Sequence, residues 1–200
     1  MIFIIFFMGL TAGILLNIIT NEISFSISCR RGENSNMKIL IMVFSVLLFL
    51  ISFFRFGFNM VFVKSVVLGS ILIIISFIDI KHEVIPNFMV IITLVMGIIF
   101  LVARDISLVS ALLGMLVGGG GLFLLALIPG AMGGGDIKFM FAIGAFLGLN
   151  KTLWALFIAF IIAAIISGFL LLFRLKGRRD VIPFGPFLAL GSLISFLVIF

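Results

Sequence analysis

Apolar runs follow one another along almost the whole of this 200-residue chain, parted only by short polar or glycine-proline breaks. Eight can be marked, at roughly 2–20, 37–54, 62–79, 87–103, 107–128, 136–149, 152–173 and 182–200, and most hold 17–22 residues. A helix rising 1.5 Å per residue needs about 20 residues to cross hydrocarbon ~30 Å thick. Composition removes the aqueous alternative. The chain is 64% hydrophobic and 10% charged, whereas a soluble domain is about 45–50% apolar and about 25% charged. In lipid every backbone polar group must be satisfied internally, which leaves helices or closed barrels. The alternating ~10-residue segments of a barrel are absent. The fold class is therefore all-α, a polytopic integral membrane helical bundle of about eight transmembrane helices. It is expected to form a single membrane domain over 1–200, with an N-terminal helical pair and short loop at 1–60 and a core at 62–200. No soluble domain, repeat array or low-complexity tail is visible. The sixth run is short, and Gly144 and Gly148 are expected to let it sit buried among its neighbours. Residues 1–20 lack a basic leading region and a small-x-small cleavage site, so they read as a permanent first span.

The net charge is +6, which in a soluble protein points to nucleic acid. Here the bases cluster in short loops, where they orient a chain in the bilayer, and no basic-aromatic surface exists to carry nucleic acid. Arg30, Arg31, Lys38, Lys81, Lys138, Arg174, Lys176, Arg178 and Arg179 fall on one side of the eight-span arrangement. Arg55, Lys64, Arg104 and Lys151 fall on the other. Nine against four makes the first side cytoplasmic, in the cytoplasmic (inner) membrane, with both termini outward. Cys29 is the single cysteine, which leaves neither an intramolecular disulfide nor a four-cysteine zinc site.

Two acids stand where an apolar chain tolerates them least. Asp79 closes the third run and Asp136 opens the sixth, and each is followed by Ile-Lys: Ile80-Lys81 and Ile137-Lys138. Both fall on the cytoplasmic side of the charge assignment. An ionisable group at the edge of hydrocarbon is costly and marks a functional site by default. Pro86, which cannot donate a backbone hydrogen bond, is expected to open the fourth helix just before Asn87. Gly133, Gly134 and Gly135 remove every Cβ ahead of Asp136, so that backbone and neighbouring helices can approach closely. A cap alone would favour Asp at a helix start without requiring three glycines. Two carboxylates ~4 Å apart repel by about 4 kcal/mol at an effective dielectric of 20, so they tend to share a proton. One can then deprotonate a water while the other protonates or polarises a peptide carbonyl. That is aspartic-protease chemistry, and it needs neither metal nor cofactor.

Gly133-Gly134-Gly135-Asp136 fits the GxGD pattern of intramembrane aspartic peptidases. With Asp79, Ile85-Pro86-Asn87 and the late string Ile182-Pro183-Phe184-Gly185-Pro186-Phe187, it resembles the type IV prepilin leader peptidase family. The motifs cover roughly residues 66–191, in the family's order. Gly9, Gly13 and Asn17 are similar to the family's N-terminal start, with Ile14 where a serine is usual. The resemblance implies a membrane endopeptidase with Asp79 and Asp136 as its catalytic acids and 62–200 as its peptidase core. It further implies cleavage of the N-terminal leader of prepilin-like protein substrates at the cytoplasmic face. Many members carry paired CxxC motifs in a longer first loop and add an N-methyl group. This chain has one cysteine, so zinc and methyl transfer are not expected.

The other candidates are softer. Lys81 and Lys138, with Pro86 and Asn87, are expected to support the site or bind substrate, although lysines at span ends commonly snorkel. His82 and Glu83 are expected in the solvated loop. Arg174–Asp180 reads as a positive-inside anchor, Pro183 and Pro186 as shaping the entry to the last span, and Gly118–Gly121 as a close-packing face. Within the family, a preflagellin or pseudopilin substrate is the alternative. From another class, the acids and glycines alone also fit an ion- or proton-coupled transporter. The lipid bilayer is an expected partner, and the oligomeric state is open.

Overall fold

The computed structural model describes residues 2–28, 35–102, 106–128, 132–174 and 182–198. Cys29, Arg30, Arg31, Arg104, Gly130, Lys176, Arg178, Arg179 and Asp180 lie outside the described residues. Among those described, all regular structure is helical: α1 (Ile2–Ser28), α2 (Ser35–Phe56), α3 (Met60–His82), α4 (Asn87–Val102), α5 (Leu108–Ala126), α6 (Gly134–Leu147), α7 (Leu149–Leu172) and α8 (Gly185–Val198). Five of them, α1, α2, α3, α5 and α7, are long and apolar enough to cross a membrane, and α4 and α8 are shorter apolar helices. The chain is a polytopic membrane protein of the expected all-α class.

The helices gather into two compact units, Met1–Val84 and Ile85–Phe200. In the first, α1, α2 and α3 pack on one another. Gly9 and Gly13 of α1 bring the backbone of α2 close, because a Cβ on Gly13 would lie 3.0 Å from the Met42 Cα. The Ser45 hydroxyl donates to the Gly9 carbonyl at 3.2 Å, and Ser52 and Ser65 share a buried hydrogen bond of 2.8 Å between α2 and α3. Small and hydroxylated residues thus join these helices, as expected where lipid removes any hydrophobic preference for helix over tail. Ile5, Phe49 and Phe62 close the unit's apolar cluster.

In the second unit α6 is the central helix, packed against α4, α5, α7 and α8. Fourteen residues make it only ~21 Å long, and nearly every side chain from Phe139 to Leu147 is buried. Its neighbours come close because glycines face it. A Cβ on Gly118 would lie 2.6 Å from the Met140 carbonyl oxygen, and one on Gly144 would collide with the Gly114 carbonyl. Gly148, at φ +74, makes the sharp turn between α6 and α7 in a conformation that disfavours a side chain. The expectation for Gly144 and Gly148 is met by this packing. Gly118–Gly121 behaves as a close-packing face only in part, because a Cβ on Gly120 would meet nothing within 4 Å.

Several helix ends differ from the sequence reading by two or three residues, that of α1 by more, and two of the differences have a visible cause. α1 continues past residue 20 to Ser28. Asn17, Thr20, Asn21 and Ser24 stand at helical spacing, so their polarity forms a stripe rather than a break, and the Thr20 hydroxyl donates back to the Leu16 carbonyl at 2.7 Å. α3 likewise continues to His82, and Glu83 caps it in the left-handed conformation with its N–H on the Asp79 carbonyl at 2.8 Å. His82 therefore belongs to the last helical turn and is partly buried, not in a solvated loop; Glu83 is exposed.

Candidate active site

Asp79 stands in the last turn of α3 and is only 5% exposed. Ile75 and Ile78, on the adjoining turn, are fully buried. The helix end therefore holds its acid inside protein rather than at the lipid surface. Its backbone carbonyl receives the Glu83 N–H that ends the helix. Beside it in sequence, His82 Nε2 is enclosed with no hydrogen-bond partner among the described residues.

Lys81, from the same turn, lines a small polar cavity of about 20 Å³ together with Lys38 and the α1 stripe of Asn17, Thr20, Asn21 and Ser24. That is room for about one water. The Asn17 amide donates to the Lys38 carbonyl at 2.9 Å. Asn17 was a sequence candidate only through its motif, and Thr20, Asn21, Ser24 and Lys38 were missed as a group. The signal that could have found them is the spacing i, i+3, i+4, i+7 of polar residues in an otherwise apolar helix.

Asp136 stands in the first turn of α6, three residues after the N-cap Gly133, and is 9% exposed. There the N–H groups of the first turn and the positive end of the helix dipole favour a negative charge. Two of the three glycines before it have separate roles. A Cβ on Gly133 would lie 3.0 Å from Asp136 Oδ2, so its absence leaves room for the carboxylate. A Cβ on Gly135 would lie 3.2 Å from the Ile85 Cβ, so this glycine lets the α6 start rest on the segment leading to α4. A Cβ on Gly134 would meet nothing, and Gly134 is exposed.

The Ile85-Pro86-Asn87 segment is built against this helix start. Ile85 and Pro86 are buried, and the Pro86 carbonyl accepts from the N–H groups of Met89 and Val90 at 3.0 and 3.3 Å, which opens α4. Asn87 Oδ1 accepts from Lys138 Nζ at 3.2 Å. The structure thus gathers Gly133, Gly135, Asp136, Lys138, Pro86 and Asn87 around the N-terminal ends of α4 and α6. Farther along, Pro186 stands in the first turn of α8, and the Phe184 carbonyl accepts from Phe187 and Leu188 at 3.0 and 3.1 Å.

Residues 66–168, which contain both acids, match the type IV leader peptidase family. Similar curated proteins carry the name prepilin leader peptidase/N-methyltransferase. The Bacillus subtilis protein is 36% identical over 149 residues, 72% of this chain and 58% of the relative. The Xanthomonas campestris protein is 30% identical over 72% of this chain and 53% of the relative, and that of Neisseria gonorrhoeae 30% over 84% and 60%. The chain thus spans between half and two thirds of the length of these relatives. No solved structure matches it significantly. With a family match over more than half its length, this chain belongs to the type IV leader peptidase family.

Proposed function

We propose that the protein is a membrane aspartic endopeptidase that removes the N-terminal leader of type IV prepilin-like precursors, with Asp79 and Asp136 as its catalytic acids. The family match across residues 66–168, which includes both acids, carries this reading. The burial of each acid at a helix end supports it. In the proposed reaction one carboxylate takes a proton from water as its oxygen attacks the scissile carbonyl carbon, and the other, protonated, gives its proton to the carbonyl oxygen. Collapse of the tetrahedral intermediate breaks the C–N bond as the first acid passes the proton taken from water to the departing nitrogen and a hydroxyl of the intermediate returns a proton to the second, which restores the pair. A carboxylate and an amine are released. The mechanism requires the two acids to reach one water, and it draws on no metal or cofactor.

The loop charges support a cytoplasmic-membrane location with both acids at the cytoplasmic side. The substrate's apolar segment then reaches the enzyme through lipid while its leader stays in the cytoplasm. Gly133 leaves space for the carboxylate, Gly135 lets the start of α6 rest on Ile85, Gly134 is the exposed middle residue of the motif, and Lys81, Lys138, Pro86 and Asn87 are proposed to support the site. The transporter alternative finds no support in the family match. Methyl transfer, which the relatives' names include, is not part of the proposal.

The test is co-expression with a prepilin and detection of leader loss. Asp79→Asn and Asp136→Asn are each expected to abolish processing at unchanged membrane abundance. Complete cleavage by either variant would overturn the assignment of that acid. Mass spectrometry of the mature N-terminus should show a free, unmethylated amine.

A further inference from the structure

A helix is least secure at its end, where the final carbonyls lack partners within the helix and the last turn opens most readily. Asp79 stands in that turn of α3. A catalytic side chain has to be held within about 0.5 Å of its working position. The Glu83 N–H on the Asp79 carbonyl closes the turn from within, and two side chains on its rear face the neighbouring helices. At about 100° per residue, Phe77 and Lys81 share one side of α3, each about 160° around the helix from Asp79.

Phe77 is buried, and its ring meets that of Phe44 on α2 edge-on with centroids 6.3 Å apart. Lys81 lines the polar cavity of about 20 Å³ between α1, α2 and this turn. A lysine at a span end commonly lays its stem on apolar surface and reaches for water. The α1 side of this cavity is polar instead. Asn17, Thr20 and Ser24 are each more than nine-tenths buried, while Leu15, Ile18 and Ile19 around them are exposed. A helix in lipid gains nothing from turning polar side chains inward unless they find polar partners there.

Two such partners are in place. The Asn17 amide donates to the Lys38 carbonyl at 2.9 Å, and the Thr20 hydroxyl to the Leu16 carbonyl at 2.7 Å. Both bonds use hydrogens, so the Asn17 and Thr20 oxygens serve the cavity as acceptors, whereas the ammonium groups of Lys38 and Lys81 are donors only. A water accepts from the one kind and donates to the other. It needs about 10–15 Å³ and two to four polar partners, and the cavity supplies both.

We propose that this cavity holds one ordered water joining the α1 stripe to Lys81, and that Asn17, Thr20 and Lys81 are positioning residues for Asp79. They fix the last turn of α3 from behind, so that the carboxylate on its front keeps the place the reaction requires. The water is structural and takes no part in hydrolysis, because Asp79 lies on the other side of the helix. The inference rests on the peptidase reading for the role of Asp79, and it brings the N-terminal helix into the working of the site.

The test uses the full chain in nanodiscs of phosphatidylethanolamine and phosphatidylglycerol. Magnetisation transfer from water to the buried Asn17 side-chain amide, read by solid-state NMR, is expected in the parent and lost in Thr20→Val. Amide hydrogen exchange in the last turn of α3 should rise about tenfold in Thr20→Val and in Asn17→Leu. Thr20→Val nearly keeps the side-chain volume, so it serves even where Asn17→Leu fails to accumulate. For prepilin cleavage by the same variants, kcat should fall about tenfold with KM within about twofold. Thr20→Ser, which keeps the hydroxyl, should restore exchange and kcat.

Two controls separate positioning from general stability. Thr11 makes the same kind of bond, to the Met8 carbonyl at 3.0 Å, on an exposed side of α1, so Thr11→Val should change nothing. Ser45→Ala removes the buried bond to Gly9, about two turns of α1 away, and should lower the thermal midpoint while leaving kcat unchanged. Absence of water transfer in the parent, unchanged exchange in Thr20→Val, a rise in KM at constant kcat, or an equal loss of kcat in Ser45→Ala would each overturn the proposal. Water transfer and exchange need no cleavage. They still report on the anchoring of the turn if Asp79→Asn processes prepilin normally and the peptidase reading fails.

Discussion

Lys138 Nζ donates to Asn87 Oδ1 across 3.2 Å, and so ties the second turn of α6 to the first residue of α4. The two side chains are separated by 51 positions and are both exposed. An exposed bond of this kind contributes on the order of 1 kcal/mol or less. Asn87→Ala is therefore expected to lower the thermal midpoint in detergent by only a few degrees. Because the pair ties the start of α6, which carries Asp136, to the start of α4, leader cleavage should fall about fivefold or more in the same variant. Matched stability and activity measurements separate the two effects.

Gly133 gives a sharper probe of Asp136. A Cβ there would lie 3.0 Å from Oδ2, the far end of a side chain that can rotate away. Gly133→Ala should therefore fold normally and yet process prepilin at least about tenfold more slowly, because the carboxylate is displaced. Gly134→Ala meets open space and should process within about twofold of the parent.

The glycines of the α5–α6 crossing should behave in the opposite way. Gly144→Ala drives a methyl group into the Gly114 backbone, which cannot rotate aside. A loss of several kcal/mol is expected, of the order seen for overpacking at its upper end, with failure to accumulate in the membrane. Gly168→Ala has room for its methyl and removes a helix-interior glycine, so it should be neutral or stabilising by about 0.5–1 kcal/mol. Thermal denaturation of the purified proteins distinguishes the two.

Ser52 and Ser65 share one buried hydrogen bond, and both residues are fully buried. Removing one hydroxyl leaves the other unsatisfied, at a cost of about 1–3 kcal/mol. Ser65→Ala should lower the thermal midpoint by several degrees, and adding Ser52→Ala should recover part of that loss. A double-mutant cycle with strictly additive losses would show that the bond does not couple α2 to α3.

Much of the architecture was legible because it follows from local composition. Eight apolar runs appear as eight helices among the described residues, and Pro86 and Pro186 stand at helix starts as their chemistry requires. The misplaced ends of α1 and α3 share one cause. Polar residues inside α1 and at the end of α3 read as breaks in hydropathy, whereas in the fold they are packed among helices. The α1 stripe bonds to its own turn and to Lys38, and α3 gains a turn through the Glu83 cap. Asp79, Asp136 and the glycines could be singled out directly, because charge in an apolar chain and the loss of three consecutive side chains are visible without coordinates.

The sequence by itself determined the solvent, the helical class, the two conspicuous acids and the family, since each rests on residue chemistry or on spacing within one segment. Tertiary structure alone decided what each glycine faces. Gly133 faces the Asp136 carboxylate, Gly144 a backbone, and Gly120 an open cleft. It alone brought Lys138 to Asn87 and made a helix of only 14 residues the centre of its unit. The physical reason is that a missing Cβ has the same composition everywhere. Its meaning depends on which atoms, distant along the chain, approach the space it leaves.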